Sequence, residues 1–188
     1  MIDGDKIERA ALELIQAIGE DPGREGLVDT PKRLAEMYTE LFSGINMDAR
    51  EVLSTGFSAG HREMVIVRDI PFYSMCEHHL LPFYGVVHIG YIPNSYGRVV
   101  GVSKLARVVE IFSRRLQMQE RMNKQIADVI MESLNPDGVG VVIQAEHLCM
   151  IMRGIKKPGS NVITSAMRGG FERRSATRAE FMSLIQGK

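Results

Sequence analysis

Cysteine is scarce in this chain of 188 residues, which holds only Cys76 and Cys149. Two thiols are too few for a disulfide-stapled secreted scaffold. An excess charge of either sign is also missing: Lys plus Arg and Asp plus Glu each number 23, for zero net charge. That excludes attachment to nucleic acid or to an anionic membrane through the overall field, and leaves room for a local basic pocket that takes a small anion. No apolar run approaches the roughly 20 residues a membrane span needs. Residues 1–20 interleave acids with apolar residues and show no signal-peptide pattern. Internal repeats and low-complexity tracts are absent as well. What remains is 45% hydrophobic and 24% charged, enough to bury a core. The expectation is a cytoplasmic, soluble, globular protein.

The chain reads as two regions, 1–60 and 61–188. In the first, Ile7, Ala11, Leu14, Ile15 and Ile18 recur at helical spacing before a breaker-rich stretch from Gly19 to Gly26. Asp29-Thr30-Pro31 then offers a cap and a proline at the first helical position, ahead of a helix from Arg33 to Phe42. These two helices form a hairpin. In the second region, Met64 to Ile70 and Val86 to Ile92 are rich in β-branched residues and read as strands. Ser103 to Leu116, capped by Ser103, and Glu120 to Leu134 read as helices. After the turn Asn135-Pro136-Asp137-Gly138, a strand runs from Val139 to Ile143 and on towards Met152. Asn161 to Met167 reads as a fourth strand, and Thr177 caps a last helix that ends near Gln186. The fold class is α+β: a helical hairpin, then a four-stranded antiparallel sheet with two helices on one face. A sheet this short has exposed edges, which oligomerisation covers.

Cys76-Glu77-His78-His79 sits at a turn. Cys76 and His79, three apart, have the spacing that aims a thiolate and an imidazole at one tetrahedral ion. The other cysteine lies in Glu146-His147-Leu148-Cys149-Met150. In an extended segment His147 and Cys149 share a face, because side chains alternate along a strand. Cys76, His79 and Cys149 then make three ligands and leave one position for water, as in a catalytic zinc site. Spacing alone leaves two alternatives open: a closed Cys₂His₂ zinc with His78 or His147 as fourth ligand, and two buried free thiols with no metal. The H-x-E and P-C-x-x-C signature of the zinc deaminases is absent.

Lys104 and Arg107 lie three apart on one face of a helix's first turn, where positive side chains oppose the helix dipole. An anion between them, such as phosphate, relieves that conflict. The alternative is two solvated basic residues. The stretch from Gly97 to Lys104 does not match a P-loop, so a Walker-type NTPase is not supported. Arg153 follows Cys149 by four and adds a positive charge beside the thiols. Glu120 opens a helix, where a carboxylate is favourable whether or not it binds anything.

Taken together, five segments resemble the GTP cyclohydrolase I family. They are Asp29-Thr30-Pro31-Lys32-Arg33, Ser74 to Leu80, Gly101 to Arg107, Gln117 to Arg121, and Glu146 to Met150, with Arg153-Gly154 close behind. The resemblance implies a zinc-dependent hydrolase that opens the guanine imidazole ring of GTP, releases formate and recloses the product as 7,8-dihydroneopterin triphosphate. It implies zinc on Cys76, His79 and Cys149, and proton transfer by His78 and His147. It also implies triphosphate binding by Arg33, Lys104, Arg107 and Arg153, with Ser103 beside them, and guanine recognition by Glu120 with Gln119. The implied fold is the tunnelling fold, and the implied assembly is a homodecamer with active sites between subunits, Arg33 reaching in from a neighbour. The rival from another class is a non-catalytic pterin- or nucleotide-binding protein of the same fold with a structural zinc.

Overall fold

The computed structural model describes residues 2–186. It opens with helices α1 (Gly4–Ala17), α2 (Thr30–Leu41) and the short α3 (Ala49–Leu53), followed by strands β1 (Gly56–Ser58), β2 (Val65–Cys76), β3 (Pro82–Ile92) and β4 (Arg98–Val100). Then come α4 (Val102–Ser113), β5 (Leu116–Gln117), α5 (Gln119–Leu134), β6 (Gly138–His147), α6 (Leu148–Ile151), β7 (Val162–Gly169), α7 (Gly170–Arg173) and α8 (Ser175–Gln186).

The carboxylate of Asp3 accepts from the Lys6 N–H at 3.0 Å and starts α1, whose Ala11 and Ile15 are buried. Pro31 stands in the first turn of α2, as the sequence predicts, and Ala35 is buried on the same helix. Asp29 does not cap it through its side chain; its carboxylate pairs instead with Arg33 at 3.2 Å. The hairpin is tied to the rest of the chain by Arg114, which donates to the Glu40 carbonyl at 3.0 Å and accepts from the Gly44 N–H at 3.1 Å.

The main sheet is five-stranded and mixed, in the order β5-β2-β3-β6-β7, rather than four-stranded and antiparallel. Four long strands run antiparallel, and β5 joins β2 in parallel through Met75↔Leu116 and Cys76↔Gln117. Two residues between two helices carry no alternation to read, so β5 leaves no mark in the sequence. β1 and β4 form a separate two-stranded ribbon.

Helices cover both faces of the sheet, not one. On one side Leu105 and Val108 of α4 and Ile126 and Ile130 of α5 pack on Phe83, Val87, Ile89, Val141 and Ile143. On the other side Phe171 and Phe181, from α7 and α8, pack with Val142. Glycine makes this second contact close: a Cβ at Gly140 would lie 2.6 Å from the Phe171 ring, and one at Gly90 would lie 2.8 Å from Phe181.

Several boundaries differ from the sequence expectation in ways that matter for the site. β2 and β3 run up to the Cys-Glu-His-His segment, which is therefore the turn of a long hairpin. β6 ends at His147 and the chain coils into α6, closed by Met152 N–H to Leu148 O at 3.0 Å. The extended path towards Met152 is thus replaced by a helical turn. α4 begins at Val102 with Gly101 as its cap, so Ser103 lies inside the helix and makes no capping bond. α8 begins at Ser175, which places Thr177 inside it as well.

Candidate active site

Three donor atoms converge at the ends of β2 and β6: those of Cys76, His79 and Cys149 all lie within 4.8 Å of one another. The two sulfurs are 3.9 Å apart, and Cys76 Sγ is 4.0 Å from His79 Nδ1. A tetrahedral zinc with bonds of about 2.3 Å to sulfur and about 2.0 Å to nitrogen separates such donors by roughly 3.5–3.8 Å. The donor set therefore fits zinc in chemistry, and the two separations from Cys76 Sγ come within about half an ångström of that spacing. His78 Nδ1 also comes within 4.0 Å of Cys76 Sγ, but His78 is not part of the mutually close set. Burial, and then the neighbouring Cys76, push the Cys149 thiol above its ordinary value.

Local structure explains the convergence. Cys76 is the last residue of β2, its N–H bonded to Leu81 O at 2.9 Å, which closes the hairpin turn. Leu80 takes a left-handed conformation, φ 52°, to make that closure. Glu77, between the two ligand positions, receives two hydrogen bonds from the Arg121 guanidinium on α5, one of them at 2.8 Å. That pairing holds the Glu77 carboxyl below its usual range. Cys149 reaches the site because α6 coils back over the end of β6, not because it shares a strand face with His147.

His147, the last residue of β6 and two residues before Cys149, is half-buried. Its ring stacks on Phe83, with centroids 4.6 Å apart and planes 7° apart. Its Nε2 is 2.8 Å from Gln119 Oε1. Burial holds its pKa below the ordinary histidine value, partly opposed by the charge of Glu120. Glu120 is exposed in the first turn of α5 and faces a cleft between α5 and β7 that Asn123, Lys124 and Thr164 also line. Arg153 lies just beyond α6, exposed and close enough to lower the Cys149 thiol's pKa in part.

The remaining basic residues are elsewhere. Lys104 and Arg107 are on the first two turns of α4, and among the described residues neither forms an ion pair. The far end of α4 is the one that adjoins the thiols, through Gln117, which donates to Phe112 O at 2.9 Å and accepts from the Glu77 N–H at 3.0 Å. At 1.5 Å per residue, Lys104 stands about 14 Å along the axis from Ser113. Arg33 is on α2, paired among the described residues with Asp29 alone. One chain therefore brings together Cys76, His78, His79, Gln119, Glu120, His147, Cys149 and Arg153, but not Arg33, Ser103, Lys104 or Arg107.

Comparison with known proteins decides the family. The model of GTP cyclohydrolase I matches residues 7–186. The GTP cyclohydrolase 1 of Dehalococcoides mccartyi is 68% identical over 188 residues, all of both chains. That of Carboxydothermus hydrogenoformans is 63% identical, covering 98% of this chain and 96% of the relative. The chain belongs to the GTP cyclohydrolase I family. The Thermobifida fusca member is 56% identical and matches all of this chain and 90% of its own.

Within this GTP cyclohydrolase I chain, two features of the site escaped the sequence. The Glu77–Arg121 pair joins residues 44 apart, and the bond from Gln119 to His147 joins residues 28 apart. Both partners of each pair lie in the motif segments, but no spacing rule links one segment to another. Only the fold brings the start of α5 against both.

Proposed function

We propose that this chain catalyses the reaction of its family: hydrolytic opening of the guanine imidazole ring of GTP, loss of C8 as formate, and reclosure to 7,8-dihydroneopterin triphosphate. The observation that carries the proposal is the convergence of Cys76, His79 and Cys149, with a half-buried histidine two residues before Cys149. These three side chains hold zinc. Bound there, zinc lowers the pKa of a coordinated water from near 16 to about 7 and so makes a nucleophile available at neutral pH.

The protein's own groups do the rest. As oxygen adds to C8, N7 gains electron density and takes a proton, and His147 is the residue that delivers it. His78, on the exposed turn, exchanges protons with solvent. The Glu120 carboxylate accepts from guanine N1–H and the exocyclic amine together. Adenine lacks that donor pair, which disfavours ATP. Gln119 stands next to Glu120 in this guanine-recognition turn. Arg33, Lys104, Arg107 and Arg153, with Ser103, neutralise the triphosphate.

The separation of Lys104 and Arg107 from the thiols supports a site completed by neighbouring subunits. Two sheet edges, along β7 and along β2 before β5 begins, remain for such pairing. The assembly we propose is a homodecamer of the tunnelling fold with GTP bound between subunits, in the cytoplasm, and with no nucleic-acid or membrane partner. The described residues include no helix long and apolar enough to cross a membrane.

The test separates ligand from proton carrier. Cys149→Ala is expected to lose zinc and activity together. His147→Ala is expected to keep its zinc while ring opening slows by about 100-fold or more. Metal analysis of both purified variants reads the outcome, and a zinc-free His147→Ala protein would overturn the division of roles.

A further inference from the structure

We infer that Gln119 is a positioning residue that fixes the tautomer of His147, so that His147 exchanges its catalytic proton at Nδ1. The inference deepens the proposed function and rests on the role assigned there to His147.

Gln119 is only 1% exposed. Its Nε2 lies 3.1 Å from Ile143 O, 3.0 Å from Val162 O and 3.2 Å from Thr164 Oγ1. Two of those atoms are backbone carbonyl oxygens, which only accept, so this end of the side chain is the amide nitrogen and the orientation of the amide is settled. Thr164 is itself held from a second side, its Oγ1 accepting from Asn123 Nδ2 at 2.9 Å. The other end, Oε1, is therefore the carbonyl oxygen, and it sits 2.8 Å from His147 Nε2. A carbonyl oxygen does not donate, so Nε2 carries the hydrogen. A neutral imidazole has one N–H, which leaves Nδ1 as the lone-pair nitrogen. Phe83, stacked parallel to the ring, fixes its plane. Among the described residues nothing bonds Nδ1.

The consequence is mechanistic. The resting ring meets its substrate with an acceptor rather than a donor. A proton released from water as oxygen bonds to C8 is taken up at Nδ1, giving an imidazolium whose Nε2–H still donates to Gln119. The Nδ1–H bond then breaks as the same proton passes to N7, and the ring returns to its starting tautomer. One amide thus supports both charge states without moving. Gln119 has both donors engaged by the protein, so its side chain does not offer them to guanine.

Solid-state ¹⁵N spectra of the full-length, histidine-labelled protein read the tautomer directly, with His147 assigned by its loss in His147→Gln. The expected result is the Nε2–H form alone; an Nδ1–H form, or an even mixture, would overturn the inference without reference to any activity. Kinetics give the second readout, on variants whose fold is checked by circular dichroism. Gln119→Met is expected to lower kcat by at least about tenfold while KM for GTP stays within about twofold, because it disorders a proton carrier rather than a binding contact. A rise in KM with kcat unchanged would make Gln119 a guanine-binding residue and overturn the inference. A wild-type rate in His147→Ala would instead overturn the proton-transfer reading beneath it, while the spectra report the tautomer separately.

Discussion

At the residue scale, the site depends on what each side chain can donate or accept. The grouping of Cys76, His79 and Cys149 was legible in the sequence, because few chemistries use those residue types at those spacings. Their partners were not. Gln119 reads as one more residue of a guanine-binding motif until its amide is seen bonded to β6, β7 and His147. Lys104 belongs to the same scale. It is half-buried and forms no ion pair among the described residues. In the proposed function this cation meets the triphosphate of the substrate. Lys104→Ala is therefore expected to raise KM for GTP by about tenfold or more, the scale of one lost charge-assisted hydrogen bond, and to change KM for guanosine far less. Equal effects on both would remove Lys104 from the triphosphate site.

At the element scale, the site is assembled by the ends of strands and the start of one helix. The first turn of α5 bonds His147 through Gln119, holds the Cys76-to-His79 turn through Arg121, and presents Glu120 between them. The sequence correctly marked a helix there and a turn at Cys76. It misplaced Cys149 on a strand, because alternation of His147 and Cys149 looks the same in an extended segment and in one that coils after His147. It also missed the bulge in β2, where the register shifts between Val67 and Ile70 and Asp69 takes φ 58°. There the Asp69 N–H donates to Nδ1 of His88 at 3.2 Å, a geometry open only to the unprotonated nitrogen.

Burial holds the His88 pKa below its ordinary value, and Asp69 offsets only part of this. The unfolded chain therefore binds a proton more readily than the folded one. The contribution of His88 to stability is complete above the unfolded value of about 6.5 and is lost as pH falls through and below it, by at most about 1.4 kcal/mol per pH unit. Chemical denaturation at pH 7.5 and 5.5 is expected to show a larger acid loss for the wild type than for His88→Asn. Equal losses would contradict this.

At the scale of the whole molecule, the α+β class and the division of labour between sheet and helices were legible from periodicity. The fifth strand and the second helical layer were not: β5 is two residues long, and α8 covers the sheet through little more than one buried phenylalanine. The separation of Lys104 and Arg107 from the thiols is a property of the chain as a whole, and it has a direct consequence. If sites form between subunits, Cys149→Ala and the weakly binding Lys104→Ala complement each other after co-assembly, read at GTP well below the KM of Lys104→Ala. Random mixing in equal amounts gives about a quarter of the sites both intact contributions. Recovery near that level is expected, in a particle about ten times the 21.0 kDa of the chain. No recovery from a confirmed mixed oligomer would place the whole site within one chain.

The most direct test of the account is the stoichiometry of products from GTP with zinc-loaded protein, measured as formate released and as pterin fluorescence after mild oxidation. One formate and one pterin per GTP are expected, both abolished by a chelator and restored by zinc. Neither product, from protein shown to hold zinc on Cys76, His79 and Cys149, would contradict it.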